Sequence, residues 1–160
     1  VWAHGDYAQL VPHEQHTGLI IHGRSDAVLN PGGVRIGTAE IYRQVETLPE
    51  ITDSLVVGRP VDGDVEIVLL LVPAAGHTLD DKLEKNLKTR IREGASPRHV
   101  PKHMIEVPDI PYTRSGKKVE LAVARLLSGS AKADNRDALG NPEALDRIRE
   151  RLAQAGLLPG

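Results

Sequence analysis

Three clusters along the chain combine residue types and spacings that could do chemistry. Thr113-Arg114-Ser115-Gly116-Lys117-Lys118 sets a lysine on a Ser-Gly turn behind a stiff Pro111. An ammonium on a defined but mobile turn is a point charge that can neutralise a phosphate during transfer. The same residues also read as a soluble basic loop. Asn30-Pro31-Gly32-Gly33-Val34-Arg35 joins a turn without side chains, which lets backbone approach a ligand closely, to a guanidinium fork suited to phosphate or carboxylate. Its plain alternative is a surface turn. His13-Glu14-Gln15-His16 misses the His-Glu-x-x-His spacing of a helical zinc pair by one residue and reads as a solvated turn. With seven scattered histidines, no cysteine and no other ligand spacing, no metal cage built from protein side chains is predicted.

These clusters need elements to hold them. Thr17 to His22 reads as a strand, with Trp2 to Leu10 as its hairpin partner. After the Pro-Gly-Gly turn, Thr38 is placed to cap a helix that carries Ile41, Val45 and Leu48 on one face and ends at Pro49. The β-branched runs Ile51 to Arg59 and Val65 to Val72 flank an Asp62-Gly63 turn and predict an antiparallel hairpin. Leu79, Leu83, Leu87 and Ile91 recur every four residues, an amphipathic helix over 79–93 stopped by Gly94 and Pro97. His103 to Val107 reads as a third strand, Pro108 to Lys117 as a polar turn and Val119 to Leu127 as a helix. Residues 128–141 read as loose, before a last helix from Pro142 to Ala155. The expected class is α+β: a sheet of about three strands flanked by helices, with a hairpin in front and a helical extension behind.

Composition narrows the function classes. A chain of 160 residues suits one ordinary domain, or a small domain with additions. Its aromatics are Trp2, Tyr7, Tyr42 and Tyr112, with no Phe, so the core should be aliphatic. A formal net charge of −2 with interspersed bases offers no field and no stacking platform for nucleic acid. The longest apolar run, Val65 to Pro73, is broken by Glu66 and falls far short of the roughly 20 residues that cross a bilayer. No cysteine and no signal peptide make a reducing cytoplasm the expected location. A first residue Val1, without Met, is expected of a piece cut from a longer chain.

The order and spacing of the motifs carry a resemblance. Gly23-Arg24-Ser25-Asp26-Ala27-Val28-Leu29-Asn30-Pro31-Gly32-Gly33-Val34-Arg35-Ile36-Gly37-Thr38-Ala39-Glu40-Ile41, preceded by His4-Gly5-Asp6 and followed by Ile110-Pro111-Tyr112-Thr113-Arg114-Ser115-Gly116-Lys117, resembles the C-terminal lid of the adenylate-forming superfamily of acyl-CoA synthetases, peptide-synthetase adenylation domains and luciferases. The likeness runs from about residue 2 to 128. Ser96-Pro97-Arg98-His99-Val100-Pro101, Val119-Glu120-Leu121-Ala122-Val123 and Asn141-Pro142-Glu143-Ala144-Leu145 are most similar to the branch that activates acetoacetate.

That resemblance implies a division of labour. Residues 1–25 would end the large N-terminal adenylation domain, 26–128 would form the lid, and 129–160 a linker and terminal helix. Asp6 and Arg24 would contact the ribose of AMP or ATP, although Arg24 also reads as a surface partner of Asp26. Arg35 would contact phosphate and Asp26 would be the hinge. Gly32 and Gly33 would line the channel for the pantetheine arm of CoA. Arg90, Arg92 and Arg98 could touch CoA phosphates, or be solvated charges near the helix end. Glu40 could orient the glycine turn or begin the helix. Lys117 would be the catalytic lysine of adenylation, bridging the acyl carboxylate and the α-phosphate. The substrates implied are ATP with Mg²⁺, CoA and acetoacetate, and the partner is the large domain of the same chain. The fragment is expected to be inactive alone, since the phosphate loop, adenine pocket and acyl pocket are not among its motifs. A lid from another short-chain acyl-CoA synthetase, or a binding module that kept the fold, are the alternative readings.

Overall fold

The run Ile67-Val68-Leu69-Leu70-Leu71 is apolar without a break, the pattern of a strand covered on both faces. In the computed structural model it is the middle of a central strand. The structure describes the backbone of residues 6–13 and 16–24, and backbone and side chains of residues 28–130 and 136–160. Among them β1 (Asp6–His13) and β2 (His16–Arg24) form an antiparallel ribbon, and β3 (Val28–Leu29) pairs with β4 (Ile36–Gly37). Helix α1 (Thr38–Val45) leads to the main sheet of β5 (Ile51–Val61), β6 (Asp64–Pro73) and β7 (His103–Glu106), in the order β5-β6-β7. Helix α2 (Asp81–Gly94) lies between β6 and β7, and α3 (Glu120–Ser128) and α4 (Glu143–Gln154) follow.

Strands β5 and β6 are antiparallel, and Val61 pairs with Asp64 across a two-residue loop. Asp62 (φ 49°) and Gly63 (φ 81°) both take positive φ there, the geometry that matches strand twist in a tight hairpin. Strand β7 runs parallel to β6, which requires the long crossover that α2 supplies. The alternation of side chains along β5 and β6 then splits the core in two. Val56, Ile67, Leu69 and Leu71 pack with Ile41 and Val45 of α1 and with Leu83, Leu87 and Ile91 of α2. Leu55, Val57, Val68 and Leu70 pack with Val123 and Leu127 of α3 and with Leu145, Ile148 and Leu152 of α4. The terminal helix therefore belongs to the core as fully as the central strands do.

Four details differ from the sequence expectations. Thr38 does not cap α1: it is the buried first residue of the helix, and Gly37, extended because it pairs with Val28, occupies the cap without a side-chain bond. Helix α1 closes at Val45 rather than Pro49, since a residue before proline is pushed out of helical geometry and the chain turns at 46–48. Helix α2 starts at Asp81, with Asp80 accepting the Leu83 amide at 2.8 Å, so Leu79 packs on the core from outside the helix. In the opening ribbon His13 pairs with His16, which shifts the partner strand to 6–13 and places Asp6 opposite Arg24.

Candidate functional site

The glycine turn is a single 3-10 turn over Pro31–Gly33, with φ of 57° at Gly32 and 77° at Gly33. Side chains are strained in that left-handed region, which is the local reason for two glycines. The turn is pinned from below. The Gly32 amide donates to Asp64 Oδ1 at 2.7 Å, and the Arg98 guanidinium lies 3.8 Å from where a Gly32 Cβ would be. The amides of Gly32 and Val65 hold the Asp64 carboxyl below its ordinary range. A groove of about 400 Å³ runs alongside, lined by Pro31, Asp64, Arg98 and Lys102 among others. Nothing lies within 4 Å of a Cβ placed on Gly33, and Arg35 is exposed just beyond it.

Lys117 sits on a small hairpin. Tyr112 and Lys118 pair as an antiparallel bridge, the Thr113 amide donates to the Lys117 carbonyl at 2.8 Å, and the Lys117 amide donates to Thr113 Oγ1 at 3.0 Å. The chain before α4 braces it: Arg114 N donates to Ala138 O and Gly140 N to Tyr112 O. The Lys117 side chain is exposed, and among the described residues its ammonium has no partner. Lys118 is the reverse. Its ammonium bonds Glu46 Oε1, reaches Asp53 Oδ1 at 3.2 Å and lies 4.2 Å over the centre of the Tyr42 ring. Two adjacent lysines thus have opposite circumstances, one held in a cage and one presented to solvent.

The two centres stand at opposite ends of the β5–β6 hairpin. Asp53, under the lysine hairpin, pairs with Val72, and Asp64, under the glycine turn, pairs with Val61. Eight residue steps from Asp53 to Val61, at about 3.3 Å each, separate these anchors by roughly 26 Å. A lysine side chain covers only a small part of that span.

Residues 41–117 match the family described as AMP-binding enzyme C-terminal domain. The chain carries an AMP-binding enzyme C-terminal domain. It is 55% identical over 146 residues to an acetoacetyl-coenzyme A synthetase of Rhizobium meliloti, covering 91% of this chain and 22% of that protein. Against an acetoacetyl-CoA synthetase of Rattus norvegicus the identity is 46%, over 94% of this chain and 22% of the relative. The solved acetoacetyl-CoA synthetase from Streptomyces lividans superposes with a TM-score of 0.82 at 43% identity, over 96% of this chain and 23% of that one. The chain spans about a fifth of the length of the relatives it matches.

Along this chain the residues expected from the sequence fall into separate places. Asp6 and Arg24 occupy one rung of the opening ribbon. Asp26 lies outside the described residues. Gly32, Gly33 and Arg98 meet at the glycine turn. Arg90 is engaged by the protein itself, donating from Nε to Gln44 O at 2.9 Å and from Nη2 to Thr47 Oγ1 at 2.8 Å, and so ties α2 to the end of α1. Arg92 is exposed and has no hydrogen bond or ion pair among the described residues. Glu40 meets His99 Nε2 at 2.5 Å, and Ser96 Oγ meets His99 Nδ1 at 2.6 Å, a chain that fastens α1 to the segment carrying Arg98. The sequence reading missed Asp64, Asp53 and Glu46, which support the two loops from far along the chain.

Proposed function

We propose that this chain is the C-terminal lid of an ATP-dependent acid-CoA ligase that makes acetoacetyl-CoA from acetoacetate, ATP and CoA. In the first half-reaction the acetoacetate carboxylate displaces pyrophosphate from ATP to form acetoacetyl-adenylate. In the second the CoA thiol displaces AMP to form the thioester. The observation that carries this reading is the placement of a free lysine and an open glycine turn at opposite ends of one antiparallel hairpin. Two groups whose anchors are roughly 26 Å apart cannot serve one reaction centre in a single pose. A lid that turns about a hinge presents them in sequence, and the acetoacetyl-CoA synthetases it resembles supply the substrate class.

In this reading residues 26–128 form the lid, Asp26 is its hinge, and residues 1–25 belong to the large domain. Lys117 meets the acyl carboxylate and the α-phosphate as oxygen attacks phosphorus, where an ammonium offsets the charge of both reactants. Asp6 and Arg24 hold the ribose, and Arg35 a phosphate. Gly32 and Gly33 line the pantetheine path, where a side chain would obstruct the thiol. Arg92 and Arg90 lie towards the CoA nucleotide, with Arg92 the freer of the two. Mg²⁺ arrives with ATP.

The test is Lys117→Ala in the full-length enzyme, with the half-reactions measured separately. Adenylation should fall about 10²- to 10³-fold, the usual effect of losing one well-placed electrostatic donor, while supplied acetoacetyl-adenylate still reacts with CoA at nearly the normal rate. Normal adenylation by that variant would overturn the assignment.

A further inference from the structure

We infer that Asp53 is the positioning residue of the Lys117 hairpin, setting the ammonium of its neighbour's neighbour by gripping both legs of the loop at once. The inference rests on the role proposed for Lys117 and concerns what holds that lysine in place. Asp53 Oδ2 accepts the Tyr112 hydroxyl at 2.6 Å, on the leg that enters the hairpin. Asp53 Oδ1 takes the Lys118 ammonium at 3.2 Å, on the leg that leaves it. The two legs are themselves bridge partners, so one carboxylate closes the base of the loop, one residue from Lys117 on the leaving leg.

The carboxylate is in turn fixed. Strand β5 departs from regular pairing between Ile51 and Asp53, the kind of irregularity that re-aims a side chain at a sheet edge. The Ser54 amide donates to Asp53 Oδ1 at 2.8 Å, which orients the group towards the hairpin. Asp53 and Lys118 are each about four-fifths shielded, with 22% and 21% of their side chains exposed, so their pairing is less screened than a surface ion pair. Burial, then the Asp53 carboxylate, keep the Tyr112 hydroxyl protonated and able to donate. Lys118 is held further by Glu46 and by the face of Tyr42. Residues from α1 and β5 therefore fix the base of a loop that the chain before α4 also braces.

Such a base matters because the lysine acts at the far end of a flexible stem. A reacting group displaced by about 1 Å can lose about 10²-fold in rate, so a loop allowed to swing would weaken adenylation without removing any group that touches substrate. Thioester formation, which uses the other end of the domain, should be insensitive to it.

The experiment uses the full-length enzyme with Asp53→Ala, Asp53→Asn and Lys118→Arg. Adenylation by Asp53→Ala should fall about 10- to 100-fold in kcat, with KM for ATP and acetoacetate within about twofold. Thioester formation from supplied acetoacetyl-adenylate should stay within about twofold. Asp53→Asn keeps an oxygen for Tyr112 and should lose less, and Lys118→Arg, which keeps a cation at the clamp, should retain most activity. If Asp53→Ala does not fold, Asp53→Asn and Tyr112→Phe each remove one grip and carry the same comparison. A parallel loss of both half-reactions would overturn the inference and make Asp53 merely structural, as would undiminished adenylation. Lys117→Ala, measured beside them, separates the two ideas. If it is crippled in adenylation while the Asp53 variants are normal, the positioning role alone fails; if it adenylates normally, the reading of Lys117 itself has failed.

Discussion

At Tyr42 one hydroxyl serves two elements. It accepts the Val56 amide at 2.9 Å, satisfying an outward N–H of the edge strand β5, and donates to Glu120 at the start of α3. Burial first, and then the Glu120 carboxylate, push its ionisation far above the ordinary range, so it stays a donor. Tyr42→Phe removes only that oxygen and keeps the ring beneath Lys118. It leaves a buried N–H without its partner, which costs about 1–3 kcal/mol, more than most exposed ion pairs on this surface contribute. Thermal unfolding of the variant should come several degrees lower, and an unchanged Tm would show that water replaces the hydroxyl at no cost. The sequence marked Lys117 and the two glycines through local motif, because each owes its conformation to adjacent residues. It did not mark Tyr42, Asp53 or Glu46. Their partners lie across the fold: Glu46 stands 72 positions before Lys118, and nothing in either neighbourhood announces the pairing.

Among the elements, the sheet is cross-linked near one end by Glu66. That carboxylate accepts Arg59 on β5 at 3.1 Å and His103 on β7 at 3.0 Å, and pairs with Lys102 at 3.1 Å, while Arg59 Nε also holds the Leu157 carbonyl at 2.9 Å. His103 foremost, then Lys102, lowers the Glu66 carboxyl to about 2 from an ordinary 4.5. Because the folded value lies below the unfolded one, the stabilisation is complete above about pH 4.5 and is lost as pH falls towards about 2. Glu66→Gln should therefore melt below the parent near pH 5.5, with the difference shrinking as both are titrated towards pH 2. A constant difference across that range would mean that the pairing contributes nothing. The β5–β6 hairpin and α2 were legible because their signals are periodic and their turn residues adjacent. The parallel seat of β7 and the burial of α4 were not, since the sequence pattern of a short strand or helix does not say which surface it meets. Thr38 was misjudged because a pairing across the β3–β4 turn, rather than local cap preference, fixes where α1 begins.

For the molecule as a whole, the β5–β6 hairpin with one chemical device at each end predicts paired and opposite phenotypes. Gly33 has φ 77°, and a Cβ there meets nothing within 4 Å, so a larger side chain finds room but projects into the space beside the turn. Gly33→Leu should cost about 1 kcal/mol in backbone strain, a fall of a few degrees in Tm that leaves the fold intact. The distance to the lysine hairpin should leave adenylation near normal, because roughly 26 Å of strand separates the two anchors. Thioester formation should fall steeply, since the side chain would occupy the path proposed for the thiol. Lys117→Ala should show the mirror image, with adenylation lost and thioester formation retained. Each variant can be scored with ATP–pyrophosphate exchange and with CoA consumption from supplied acetoacetyl-adenylate in the full-length enzyme. If both variants damage the same half-reaction, the two ends act on one pose and the rotating lid is wrong. If the losses separate, two devices with anchors roughly 26 Å apart on one hairpin are presented in turn, as a domain moved as a body between the two steps would do.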